Sequence, residues 1–272
     1  MNFPKHHDNA KKGDNGRLLI VSGNHHYTGS SIFASMGAYG VGVDIVNVLT
    51  CKRSADIASS YAPEIITLSY HDFYLKKHYL EGLRKNYYSA ALIGPGLGRE
   101  PETEKAVIQF IKNHTIPIVI DADAISLLKD HKHLLKGKNI LMTPNSNEFE
   151  HFTGRISENI DERKKQVQEL ARELGIVVLL KGPVDIISDG NSVHINETGA
   201  GVMAKGGFGD LLAGICAGLI SRKVDLYDAA VMGVWINCKA GELAAREKYE
   251  STLPTDAMAM IPKALKTLKA RK

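Results

Sequence analysis

The sequence predicts an α/β protein whose mostly parallel central sheet is covered by helices on both faces. Two observations carry that expectation. Short apolar or β-branched runs alternate with helix-like segments along most of the 272 residues, the signature of successive strand–helix units. The unusual residues, glycine clusters, paired acids and a lone lysine, directly follow the apolar runs, at the strand ends where such sheets bind ligands. No stretch reads as a linker, repeat or low-complexity segment, so residues 1–272 are expected to form one domain, with 1–16 as a loose leader.

The elements follow in order. Arg17 to Ser22 is an apolar run ended by Gly23 and reads as a buried strand. G-N-H-H-Y-T-G-S-S leads into a small-residue helix, Ser31 to Tyr39, stopped by Gly40 and Gly42. Val43 to Leu49 is β-branched and predicts a strand. Lys52 to Tyr61 fits a short helix, Glu64 to Leu68 a strand, and the polar, aromatic stretch His71 to Asn86 has helical spacing. Ala90 to Ile93 runs as a strand into G-P-G-L-G, followed by a helix from Thr103 to Asn113. The strand Pro117 to Ile120 ends in D-A-D and precedes a helix from Ala124 to Lys129. Asn139 to Met142 ends in T-P-N-S-N-E; the amphipathic helix Ile160 to Leu174 leads to the buried strand Ile176 to Leu180 and then Lys181-Gly182. Asp185 to Ser188 and Ser192 to Ile195, joined by Asp189-Gly190, predict a hairpin. A glycine loop, its apolar helix, and helices over Leu226 to Lys248 and Thr255 to Lys269 complete the chain.

Composition narrows the class. Hydrophobic content of 44% and charged content of 24% are those of a globular protein. The net charge of +4 owes part of its excess to Lys263, Lys266, Lys269, Arg271 and Lys272, which read as a solvated helix end. No aromatic residues interleave with them, so no nucleic-acid surface is expected. No apolar run reaches membrane-spanning length, which argues against a membrane partner. Three scattered cysteines, Cys51, Cys216 and Cys238, point to a reducing compartment and a cytoplasmic location.

The chemistry concentrates in Gly199 to Gly218, G-A-G-V-M-A-K-G-G-F-G-D-L-L-A-G-I-C-A-G. Glycine-rich backbone entering a helix presents free amides and the positive end of the helix dipole, an anion site that suits phosphate. Asp210 sits in the first turn, where an acid serves better to accept a proton or orient a nucleophile than to hold phosphate. The competing reading is a tight turn with Asp210 as a cap. Gly94, Gly96 and Gly98 let a ligand lie on the backbone, or make an ordinary turn. Asp121 and Asp123, two apart at a strand end, would point the same way and hold a metal or a hydroxyl; Asp123 is equally a helix cap. Asn145 and Glu148, three apart, suit a hydrated magnesium ion carrying phosphates, or a capping box. Lys181 either snorkels to the surface or faces the site. His25, His26 and Tyr27 offer hydrogen bonds and stacking, whereas His131 and His133 read as solvated.

In this order, L-L-I-V-S-G-N, Y-T-G-S-S, I-G-P-G-L-G, I-D-A-D-A, L-M-T-P-N-S-N-E-F, V-V-L-L-K-G and A-K-G-G-F-G-D-L-L-A-G-I resemble the ribokinase-like superfamily. Within it they resemble the ADP/ATP-dependent NAD(P)H-hydrate dehydratases, often labelled carbohydrate kinases, over roughly residues 17 to 247. The resemblance implies a three-layer α/β/α sandwich. It implies dehydration of hydrated NADH or NADPH at the expense of ADP or ATP, with Mg²⁺, through phosphorylation of the ring hydroxyl and loss of phosphate. Asp210 would take the hydroxyl proton. Ser31, Gly96 and Asn145 fall at positions that contact the hydrate. Lys181, Gly182, Pro183, Val184, Asp185 and Gly209 fall at nucleotide positions, with Gly206, Gly207 and Phe208 completing the anion loop; Glu148 is the candidate metal ligand.

The resemblance also implies a symmetric homo-oligomer, a tetramer among its forms; an epimerase domain is often fused in the family, but none is expected in this chain, and a separate epimerase would act in the same pathway. Five positions depart from the family pattern: Ser30-Ser31 for A-A, Asn145 for histidine, Asp185 for threonine and Phe208 for threonine. Phe208 implies that the loop acts through its backbone. A kinase acting on a sugar or vitamin alcohol is the alternative, suggested by N-x-x-E, and a nucleotide-binding regulator without turnover is the third.

Overall fold

The computed structural model describes residues 3–6, 8–84 and 86–269. Nine strands form one sheet among these residues: β1 (Arg17–Val21), β2 (Ile45–Cys51), β3 (Ile66–Tyr70), β4 (Ala90–Ile93), β5 (Ile118–Ile120), β6 (Ile140–Met142), β7 (Val177–Leu180), β8 (Asp185–Ser188) and β9 (Val193–Asn196). Their spatial order is β3-β2-β1-β4-β5-β6-β7-β8-β9. Pairing is parallel from β3 through β7 and antiparallel for β7–β8 and β8–β9. The expected hairpin is therefore the sheet's antiparallel edge.

Residue alternation along each strand builds two cores. Leu18 and Ile20 of β1, Leu92 of β4 and Leu179 of β7 face one layer; Leu19, Val21, Ile93, Val178 and Leu180 face the other. The first layer contains α1 (Gly29–Gly40), α2 (Lys52–Tyr61), α8 (Phe208–Ser221), α9 (Leu226–Lys248) and α10 (Pro254–Lys269). The second contains α3 (Lys77–Glu81), α4 (Pro101–Asn113), α5 (Asp123–Leu127), α6 (Ser146–Thr153) and α7 (Ile160–Leu174). This is the three-layer sandwich that the alternation predicts.

The chain winds outward from β1 to β3 and then returns to β4 on the other side of β1. Such a reversal opens a crevice at the strands' carboxyl ends. Gly23, after β1, donates its amide to the Pro95 carbonyl after β4 at 2.8 Å, so the first motif and G-P-G-L-G meet across that crevice.

Two expectations need correction. The leader is fastened, not loose: the Asp44 carboxylate accepts from the amides of Gly13 and Asn15 at 2.9 and 3.0 Å. The buried Arg222 donates to the carbonyls of Val41 at 2.6 Å and Pro4 at 3.1 Å. A buried guanidinium needs acceptors, and the leader supplies one. Met1, Asn2 and His7 of that leader, and Arg271 and Lys272 of the basic tail, lie outside the described residues. The described residues of His71 to Asn86 form only the short α3; the buried Leu75 and Leu80 are five apart and do not share one helical face.

Helix α8 reaches its place through absent side chains. A Cβ on Gly214 would stand 2.0 Å from the Ala34 carbonyl oxygen of α1, so the two helices touch backbone to backbone. Gly214→Ala should gain about 1 kcal/mol of helix propensity. Overpacking against a backbone that cannot swing aside costs about 1–3 kcal/mol and lies here at the upper end of that range. The melting midpoint should fall by about 4 °C or more; a variant as stable as the parent would contradict this packing.

Candidate active site

Strand alternation aims the first charged groups. Val119 of β5, Leu141 of β6 and Leu179 of β7 face the α8 layer, and two residues further along lie Asp121, Thr143 and Lys181. All three turn toward α8. Lys181 Nζ donates to Asp121 Oδ1 at 2.6 Å, and Thr143 Oγ1 donates to the same oxygen at 2.8 Å. The lysine side chain is 16% exposed and the aspartate 1%. Lys181 therefore faces the site rather than the surface, and Nζ lies 3.3 Å from where a Cβ of Gly209 would be.

Asp123 does not join Asp121. Ala122 takes φ +50°, which ends the strand geometry at once and turns Asp123 outward. Its carboxylate accepts from the Gly98 amide at 2.9 Å and from Arg99 Nε at 2.8 Å, steadying the glycine turn after β4. Asn145 and Glu148 adopt the capping box: Glu148 N–H donates to Asn145 Oδ1 at 2.9 Å, and Asn145 N–H to Glu148 Oε2 at 2.8 Å. Among the described residues no three His, Cys, Asp or Glu side chains gather as a metal cage.

The glycine loop leads into α8 as expected. Gly207 has φ +100°, and no described side chain caps the helix start. The first amides of a helix have no internal partner, so those of Phe208 to Asp210 are free to meet an anion. The Phe208 ring is buried in the helix-side core, leaving only its backbone to the loop. Gly206 is exposed, with open space where a side chain would be. Lys205 secures the loop, donating to the carbonyls of Glu250 and Thr252 at 2.7 and 2.8 Å.

Asp210 occupies the middle. Burial is the main cause that lifts its carboxyl to about 6; Asp121 and Glu148 add to the shift, while Ser30 and Lys181 oppose it. Burial also raises Glu148. Burial pulls Lys181 down, but Asp121 and Glu148 outweigh it and keep the ammonium above its ordinary value.

The remaining expected residues sort by their neighbours. Gly96, φ +62°, lies under Tyr27 and Ser30: a Cβ there would meet Tyr27 Cβ at 2.7 Å and Ser30 Oγ at 2.8 Å. Ser31 is fully buried, its hydroxyl turned to Ser22, so only its backbone is left for a ligand. Its neighbour Ser30 is the hydroxyl beside Asp210, which the sequence reading missed; the phase of α1 would have separated the two. Gly182 and Pro183 are exposed and Val184 half-buried. Asp185 turns inward, accepting from Gly182 N–H at 3.1 Å and Asn196 Nδ2 at 3.0 Å, and burial raises its pKa. It braces the turn from within.

The fold is that of the ribokinase-like proteins. A ribokinase-like superfamily protein of Enterococcus faecalis superposes with TM-score 0.85 over 97% of this chain and 91% of its own, at 22% identity. The family model described as NAD(P)H-hydrate dehydratase matches residues 18–263, and the chain belongs to that family. It is 33% identical over 268 residues to the ADP-dependent (S)-NAD(P)H-hydrate dehydratase of Cenarchaeum symbiosum, covering 97% of this chain and 93% of that one. It is 37% identical over 269 residues, 94% of its length, to a bifunctional NAD(P)H-hydrate repair enzyme of Hyperthermus butylicus, of which it spans 49%. The chain thus covers about half the length of such bifunctional relatives. The ADP/ATP-dependent NAD(P)H-hydrate dehydratase of Bacillus subtilis, co-crystallised with ATP and Mg²⁺, superposes with TM-score 0.83 at 25% identity, over 97% of this chain and 94% of that one.

Removing the ammonium should expose how far the site depends on it. Lys181→Met leaves a buried carboxylate with one hydroxyl partner and is expected to cost about 3–5 kcal/mol of unfolding free energy. Adding Asp121→Asn should recover much of that loss in the same denaturant titration. A Lys181→Met protein of unchanged stability would show that the pair holds nothing together.

Proposed function

We propose that the chain is an ADP- or ATP-dependent dehydratase that returns the S form of hydrated NADH or NADPH to the reduced cofactor. The observation that carries this reading is Asp210, a carboxyl raised to about 6, standing at the uncapped amino end of α8 with Lys181 beside it. Hydroxide is a poor leaving group, so the ring hydroxyl must first be converted to a better one.

Asp210, ionised above its pKa, accepts the hydroxyl proton as the oxygen attacks the nucleotide's terminal phosphorus. The phosphorus–oxygen bond to the nucleotide breaks, releasing ADP from ATP or AMP from ADP. The amides of Gly206 to Gly209, with the helix dipole and the Lys181 ammonium, stabilise charge on the moving phosphoryl group. The ring nitrogen's electron pair then expels phosphate, and loss of a proton from the adjacent ring carbon restores the double bond. Ser31 and Gly96, with Asn145 at the start of α6, bound the hydrate side; Lys181 to Asp185 bound the nucleotide side. Bound Mg²⁺ would neutralise phosphate charge. Glu148 fits it as a single ligand: one oxygen is tied into the capping box, and magnesium commonly takes few carboxylates, with water and phosphate oxygens as the rest. A homo-oligomer, a cytoplasmic location and an epimerase acting in the same pathway belong to the same reading.

Incubation with hydrated NADH, Mg²⁺ and either ADP or ATP should restore reduced-nicotinamide absorbance. Phosphorylation of a sugar or vitamin alcohol with no return of absorbance would replace this reading with a kinase. Asp210→Asn should keep nucleotide binding and lose about a hundredfold or more of kcat. In the parent, kcat/KM should fall tenfold per pH unit below about 6 as Asp210 is protonated; a flat profile from pH 7 to 5 would remove Asp210 as the base.

The same shift has a stability consequence. A carboxyl with a folded pKa above its unfolded value destabilises the fold when ionised, fully above about 6 and not at all below the unfolded value. Asp210→Asn should therefore raise the melting midpoint at pH 8 and leave it unchanged near pH 3. An equal effect at both would assign the change to packing.

A further inference from the structure

A dinucleotide hydrate carries a second ring system that the reacting centre does not hold. The nucleotide turn, residues 181–185, lies on the β7–β8 side of Asp210. On the other side, beyond Gly96, the loops after β1 and β3 carry a row of aromatic rings. Tyr27, against Gly96, is 60% exposed. Phe73 is 64% exposed and lies flat on His25, with centroids 4.2 Å apart and planes 22° apart. Tyr74 flanks it at 6.4 Å and is 41% exposed.

These rings are not loose. Asn24 Oδ1 accepts from the amides of His26 and Tyr27 at 2.8 and 2.9 Å, and Ser54 Oγ donates to the Asn24 carbonyl at 2.8 Å. In the second loop Asp72 accepts from the Tyr79 hydroxyl at 2.7 Å and pairs with Lys76 at 2.9 Å, while Leu75 is fully buried just beyond the rings. Exposed aromatic faces on a fixed backbone beside a site mark a binding surface. With one face on His25, Phe73 offers the other to solvent. β3 lies two strands from β1, about 10 Å at a strand spacing of about 4.8 Å, so the shelf extends from Tyr27 beside Gly96 toward the β3 edge, where Phe73 and Tyr74 stand.

We infer that the His25–Phe73 stack, with Tyr27 and Tyr74, is the subsite for the purine of the dinucleotide substrate. The inference rests on the dehydratase reading. It gives the two adenines of the reaction opposite sides of Asp210, the co-substrate's toward β8 and the hydrate's toward β3.

The test compares hydrated NADH with hydrated reduced nicotinamide mononucleotide, which lacks the adenosine half. Stacking on an aromatic ring supports an expected loss of about tenfold. Phe73→Ala should raise KM for hydrated NADH by about that factor with kcat within about twofold, leave the truncated substrate unaffected, and be rescued by Phe73→Trp. Equal effects on both substrates, no effect on either, or a changed molecular mass in light scattering, which would make the shelf a contact between copies, each overturn the subsite. If the parent enzyme turns over neither substrate, the dehydratase reading itself fails. Calorimetric titration with NADH then decides the shelf alone: about tenfold weaker binding to Phe73→Ala supports it, and unchanged affinity overturns it.

Discussion

The seating of α8 on α1 is the constraint from which the site follows. Gly214 and Gly37 bring the two helices into backbone contact, with Gly37 meeting the Leu211 carbonyl just as Gly214 meets that of Ala34. That closeness lets α8 lie under β1, β4 and β5 and bring its amino end to their carboxyl ends. Anion-seeking amides and the Asp210 carboxyl arrive together, because both belong to the first turn. A bulkier α8 would stand away from the sheet and carry both out of reach of Lys181.

Charge at the site is deliberately unequal. One ammonium faces three carboxylates, Asp121, Glu148 and Asp210, and gives its hydrogen bond to Asp121. Asp121, the most buried of the three, is satisfied by Lys181 and Thr143, as a buried ion must be. Asp210 is left partly compensated and burial raises it. A group with heightened proton affinity at an anion site is suited to taking a proton while phosphate moves nearby. Asp185, which departs from the family's threonine, is drawn into a separate bracing role with Gly182 and Asn196 and leaves no free carboxylate on the turn after β7.

Much of this was legible from residue order. The α/β layering, most element positions and the rim of motifs all follow from apolar periodicity and glycine placement. Where the reading failed, the cause was geometric. Ala122 takes a positive φ that separates two aspartates an extended strand would align. Ser30 and Ser31 differ only by a hundred degrees of helix phase, yet one meets Asp210 and the other Ser22. The leader looked loose because its partners, Asp44 and Arg222, lie far along the chain.

Periodicity, turn glycines and capping residues act over a few neighbouring positions, so strands, helices and their order could be read directly, and the capping box of Asn145 with Glu148 stood among the readings. Partners were another matter. Lys181 and Asp121 are 60 residues apart, and Arg222 and Val41 181 apart. Nothing local couples such positions; each buried charge takes whichever acceptor the packed layers bring to it. Asp210 could be singled out from the chain, but its proton affinity, its serine neighbour and the aromatic shelf beyond it exist only once α8, the strand ends and the loops have met.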